Sequence, residues 1–138
     1  MADFQRPAIH IWLLLVLFFT IPVNAEEPKP FTSDGCSAFP DGTVEQNKLW
    51  LSCCTEHDHA YWKGGTYAER ALADDRLRQC VAAVGEPEIA TIMLAGVRVG
   101  GTPYLPTQFR WGYGWPYLRG YKALTAKDYQ GILDLGEK

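Results

Sequence analysis

The chain has 138 residues, with 13 Lys and Arg against 16 Asp and Glu, a formal net charge of −3, 47% hydrophobic and 13% aromatic residues, and four cysteines. A balance on the acidic side excludes a binder of phosphate backbones, so no nucleic-acid partner is expected. The length is that of one small domain.

Residues 1–25, "MADFQRPAIHIWLLLVLFFTIPVNA", carry a basic residue (Arg6), an apolar run from Ile11 to about Phe19, and Val23-Asn24-Ala25 in the small-residue pattern of a cleavage site. The expectation is a signal peptide, because the apolar run is short for the roughly 20 residues that a membrane span needs. Residues 26–138 are then an exported domain, periplasmic or secreted. Cys36, Cys53, Cys54 and Cys80 all lie in that part. An even cysteine count in a small exported protein reads as two disulfides, which a core of this size needs for stability.

Proline and charge make Glu26 to Thr32 an extended lead-in, and Gly, Pro, Asp and Ser make residues 33–43, "SDGCSAFPDGT", a loop. Leu49, Trp50, Cys53, Cys54, His57 and Tyr61 recur at three- and four-residue steps, which predicts a helix over 45–62 with Gly64-Gly65 as its stop. Thr66-x-x-Glu69 is a capping box that opens a second helix over 67–83. The short connection makes these two helices antiparallel neighbours. Glu86-Pro87-Glu88 starts a third, whose run from Ile89 to Val99 is apolar nearly all round apart from Arg98, reads as a buried core helix and ends at Gly100-Gly101. Residues 102–121 mix Pro and Gly with seven Tyr, Phe and Trp side chains, which predicts a short hairpin or packed irregular segment. Clustered Trp and Tyr either cover a small core or face a water–lipid boundary or substrate channel. A brief helix is expected over about 125–134.

Consecutive side chains on a helix point about 100° apart, so Cys53 and Cys54 face different neighbours rather than each other. Two pairings remain, and each ties the first helix both to the second, through Cys80, and to the preceding loop, through Cys36. On the chain-entropy account each bond contributes roughly 3–4 kcal/mol. One turn along from Cys53 stands His57, and the antiparallel arrangement brings it level with Asp74, Asp75 and Arg76. A carboxylate across from a histidine holds one tautomer and supports the imidazolium. Asp58 points about 100° away, which is toward the preceding loop if Cys54 is the cysteine that holds it, and a carboxylate facing a turn of backbone carbonyls suits a hard cation. A zinc site from Cys53, Cys54, His57 and His59 fails, since those residues point to several faces of one helix. His59 is then a solvent or rim residue, and Glu56, Asp75 and Arg76 belong to solvated faces.

The stretch Cys53-Cys54-Thr55-Glu56-His57-Asp58-His59-Ala60-Tyr61 resembles the Cys-Cys-x-x-His-Asp-x-x-Tyr signature of secreted phospholipases A2. Asp34-Gly35-Cys36-Ser37 with Pro40-Asp41 is similar to the loop that precedes that helix in the bacterial and fungal branch. Asp74, six residues before Cys80, is similar to the aspartate of the second helix. The resemblance covers about residues 34–80. It implies His57 as general base, Asp74 as the residue orienting it, and Tyr61 as a hydrogen-bond donor to Asp74. It also implies calcium on Asp58, with carbonyls of Gly35 and Ser37 and the side chain of Asp41 as further ligands, and the pairings Cys36–Cys54 and Cys53–Cys80. The expected fold is all-α: a small disulfide-linked domain with two antiparallel core helices, a third apolar helix and an aromatic-rich irregular C-terminal region. The expected activity is calcium-dependent hydrolysis of a phospholipid ester at a membrane surface. The alternatives are a non-catalytic lipid- or protein-binding module on the same scaffold and a structural envelope protein.

Overall fold

In the computed structural model, residues 26–137 are described; the expected signal peptide, residues 1–25, lies outside them. The described residues form four helices and no strand: α1 (Leu51–Lys63), α2 (Tyr67–Ala83), α3 (Pro87–Gly100) and α4 (Ala126–Asp134). The fold is all-α and is stapled by two disulfides, Cys36–Cys54 and Cys53–Cys80. This is the pairing that the resemblance implies. None of the described helices is long and apolar enough to cross a membrane.

α1 starts six residues later than its apolar spacing predicts. The backbone of residues 43–50 is spent on a turn instead: Thr43 N donates to Gln46 O (3.0 Å), the Thr43 hydroxyl accepts from Gln46 N (3.0 Å), and Trp50 N donates to Asp41 O (3.1 Å). Local side-chain bonding of this kind competes with helix formation. Gly42 is needed inside the turn, because a Cβ there would run into the Gln46 carbonyl. At the other end α1 stops at Gly64 and Gly65, with φ of 70° and 132°, as the double glycine predicts.

α2 opens on the predicted capping box, with both reciprocal Thr66–Glu69 bonds present. The three-residue connection joins α1 and α2 at one end and Cys53–Cys80 joins them near the other, so the pair is antiparallel. α3 begins with Pro87 at its first turn and packs along α2. It is not buried all round, contrary to its apolar pattern. Ala90 and Met93 are buried, while Ile92 is 57% and Val99 78% exposed. The helix lies on the outside of the α1–α2 pair, so only one of its stripes meets the core.

The main core encloses both disulfides with Trp50, Leu77, Val81, Ala90 and Met93. The aromatic segment after α3 is irregular and builds the rest, with Trp111 against Tyr61 and Ala73, and Trp115 against Trp62 and Ile132. It does so by closing the C-terminal end of α1, where helical carbonyls lack partners. Gly112 N donates to Tyr61 O (2.6 Å), Gly114 N to Trp62 O (3.2 Å) and the Trp115 indole to Lys63 O (2.7 Å), while the Trp111 indole reaches Gly65 O (2.9 Å). These tryptophans therefore serve packing, whereas Tyr104, Leu105, Tyr117 and Leu118 are exposed. α4 is held through Arg119, which lies over the Trp115 ring (3.8 Å) and pairs with Asp128 (2.8 Å) and Glu26 (2.9 Å).

Candidate functional site

The antiparallel α1–α2 pair sets His57 opposite Asp74, with Nε2 and Oδ1 3.0 Å apart. Asp74 is fully buried, and His57 is 8% exposed. A carboxylate can only accept, so Nε2 carries the proton and the lone pair of the neutral ring lies on Nδ1. Tyr61, one turn along α1 from His57, donates its hydroxyl to the same Oδ1 at 2.7 Å, with its ring centroid 4.1 Å from the imidazole. Burial, and then the negative charge of Asp74, push the Tyr61 hydroxyl well above the ordinary phenol value, so it remains a donor. Asp75, the neighbour in sequence, instead pairs at the surface with Arg78 and Arg98, each at 3.8 Å.

The other oxygen of Asp74 faces two cations: Arg98 Nε on α3 is 3.0 Å from Oδ2, and Arg70 Nε is 3.9 Å away. Arg70 also donates to the Tyr61 hydroxyl (3.1 Å). Neither arginine was singled out by the motif. Arg98 was legible as the one charged residue in the apolar run 89–99, and Arg70 carried no signal beyond its place one turn before Asp74.

His57 opens on a cleft of about 350 Å³ whose walls are mostly apolar, including Phe39, Leu77, Ile92, Met93, Val97 and Phe109. Tyr61, Asp58, Gly35 and Ser37 line the same cleft. Asp58 is 7% exposed and accepts from the Ser33 hydroxyl at 2.6 Å. Burial pushes its carboxyl up to about 6, helped by the charge of Asp34 and opposed by Ser33 and His57. A second cleft of about 200 Å³, lined by Thr32, Ser33, Asp34, Gln108 and Tyr113, shares Asp58 and Phe109 with the first. Asp58 thus stands where an apolar space meets a polar one.

The residues expected to hold a cation part company here. Gly35 and Ser37 line the same cleft as Asp58, in a loop whose residues 35, 37 and 38 have φ of 76°, 37° and 60°. Asp41 lines neither cleft: its carboxylate lies against Gly35, and its Oδ1 accepts from Cys36 N at 2.9 Å and closes the loop. Asp34, which the sequence motif contains but which was given no role, lines the polar cleft with Asp58 and accepts from the Ser37 hydroxyl at 2.6 Å. Among the described residues no three His, Cys, Asp or Glu side chains converge as a metal ion would require. Near Asp58 stand the Ser33 hydroxyl, which donates to it, and the Asp34 side chain on the same polar cleft, oxygen groups of the kind a hard cation takes.

Zinc is excluded from the cysteine pair, since both sulfurs are in disulfides. His59 faces away from the cleft, stacked on Trp62 (5.6 Å) with Nε2 3.2 Å from Glu137, and is half-buried rather than solvated. No known family, curated protein or solved structure matches the chain.

Proposed function

We propose that the protein is an exported hydrolase that cleaves a phospholipid ester with a His-Asp dyad and calcium, at a membrane surface. The observation that carries this reading is the buried His57–Asp74 contact of 3.0 Å at the wall of an apolar cleft. A histidine used only for packing has no need of an apolar space large enough for acyl chain beside a fixed, carboxylate-paired ring.

In the proposed reaction Nδ1 of His57 removes a proton from water as the water oxygen attacks the ester carbonyl. Asp74 supports the imidazolium through Nε2, and Tyr61 keeps the carboxylate in place. Collapse of the tetrahedral adduct breaks the bond to the alcohol oxygen, which takes the proton back from His57 and leaves fatty acid and a lysolipid. Asp58, with oxygens of the 33–37 loop, would hold calcium, which supplies Lewis-acid polarisation of the carbonyl and phosphate. Both disulfides fit an oxidising compartment, which supports export.

The test is release of fatty acid from mixed phospholipid vesicles, with calcium and with chelator, beside His57→Gln. Hydrolysis by the parent protein alone, lost in chelator, supports the reading; equal release by both proteins removes His57 as the base. The engagement of Asp41 with Cys36 N favours one rival, a lipid-binding module with a weakened cation site. Calorimetric calcium titration separates them: binding lost in Asp58→Asn supports the enzyme, and no binding by the parent protein supports the module.

A further inference from the structure

Asp74 has no exposed surface, and its two oxygens are treated differently. Oδ1 takes the Tyr61 hydroxyl and the His57 ring. Oδ2 has no aligned hydrogen-bond donor and is compensated by charge, chiefly by Arg98 Nε at 3.0 Å. A carboxylate removed from water needs such compensation, and it turns toward whatever cation supplies it. Arg98 reaches Asp74 from α3, an element with no place in the His-Asp motif.

Its reach is fixed in turn by Arg70. That buried side chain donates to Val97 O (2.8 Å) and Arg98 O (2.9 Å), capping the end of α3, and to the Tyr121 hydroxyl (2.5 Å). Arg98 also donates from Nη2 to Ala71 O on α2 (3.0 Å). The guanidinium is therefore anchored at its root and at its tip, with Nε left over Asp74.

We infer that Arg98 is a positioning residue: by holding Oδ2 it sets the plane of the Asp74 carboxylate, keeps Oδ1 on the ring of His57 and so fixes the tautomer with the proton on Nε2. The inference rests on the reading of His57 as base, but it concerns an arrangement that can be observed without catalysis. Because the contact with Asp74 is one of charge at a single nitrogen, a lysine keeps it where an apolar side chain does not, at the cost of the Nη2 bond to Ala71 O.

The experiment compares Arg98→Met and Arg98→Lys with the parent protein by ¹⁵N NMR of the His57 ring in calcium-free buffer, and by kcat and KM on phospholipid vesicles. The expected result is one tautomer, Nε2–H, in the parent and in Arg98→Lys, and a mixture in Arg98→Met. In the same variant kcat falls roughly tenfold with KM little changed. A parent-like tautomer in Arg98→Met, or an Arg98→Lys as impaired as Arg98→Met, overturns the inference. Should Arg98→Met not fold, Arg98→Gln takes its place under the same criteria. If the parent protein cleaves no lipid, the enzymatic reading falls by itself and the ring spectrum alone decides the role of Arg98.

Discussion

Asp58 is held in a place that does not suit its charge. With its carboxyl at about 6 in the folded protein against 3.8 in the unfolded chain, the unfolded state gives up its proton first. The contribution of Asp58 to stability without a cation therefore declines as pH rises from 3.8 to about 6 and stays at the lower level above that. Asp58→Asn removes this dependence. In chelator its melting temperature at pH 7 is expected to equal or exceed that of the parent, and its pH profile to be flatter across the window. Calcium is expected to raise the melting temperature of the parent and not of the variant. A difference in stability between parent and Asp58→Asn, measured in chelator, that does not change through this window contradicts the placement of Asp58. The pair His57 and Asp58 was readable as two neighbouring side chains on different faces, because helix periodicity alone settles that. The diversion of Asp41 to Cys36 N was not, since one loop carboxylate looks like another until the backbone around it is closed.

At the scale of elements, the end of α3 and the start of the aromatic segment set Tyr61. Gly101 is buried against the Tyr61 ring and hydroxyl, and a Cβ there would overlap them. Gly101→Ala is expected to push the phenol off Asp74, costing about 1–3 kcal/mol from the lost buried bond and the strain. Denaturant unfolding reads the first effect, and hydrolysis is expected to fall with it while Gly96→Ala, where a Cβ meets open space, changes stability little. α2 was legible from end to end because its start is a local device, Thr66 with Glu69, that depends on no other element. The start of α1 was not, because the bonds from Thr43, Gln46 and Asp41 that replace helix there are formed by the loop as a whole. The apolar run of α3 reads as a core helix for the same reason: which of its faces meets a neighbour is decided by where the α1–α2 pair lies.

For the whole molecule, the two disulfides divide the work of holding the site. Cys53–Cys80 joins the helices that carry His57 and Asp74, and Cys36–Cys54 joins α1 to the loop that carries Ser33, Asp34 and Gly35. Replacing Cys36 and Cys54 together by alanine is expected to cost about 3 kcal/mol, given the 18-residue separation. It is also expected to abolish the calcium-induced rise in melting temperature while the helical circular dichroism survives. Replacing Cys53 and Cys80 is expected to lower hydrolysis as well as stability. Loss of helical signal with the calcium rise intact in the first variant would contradict this division.

The sequence by itself determined the helical class, the extent of α2, the two-disulfide staple, and the placing of an imidazole and an acid on adjoining faces of α1. Each of these follows from periodicity, capping or cysteine arithmetic, which act over a few residues or through covalent bonds. Only the tertiary structure decided that Arg98 and Arg70 surround Asp74, that Asp34 rather than Asp41 stands with Asp58, and that the aromatic segment closes the carbonyl end of α1. Those contacts join residues far apart in the chain, and their geometry exists only once the elements have packed.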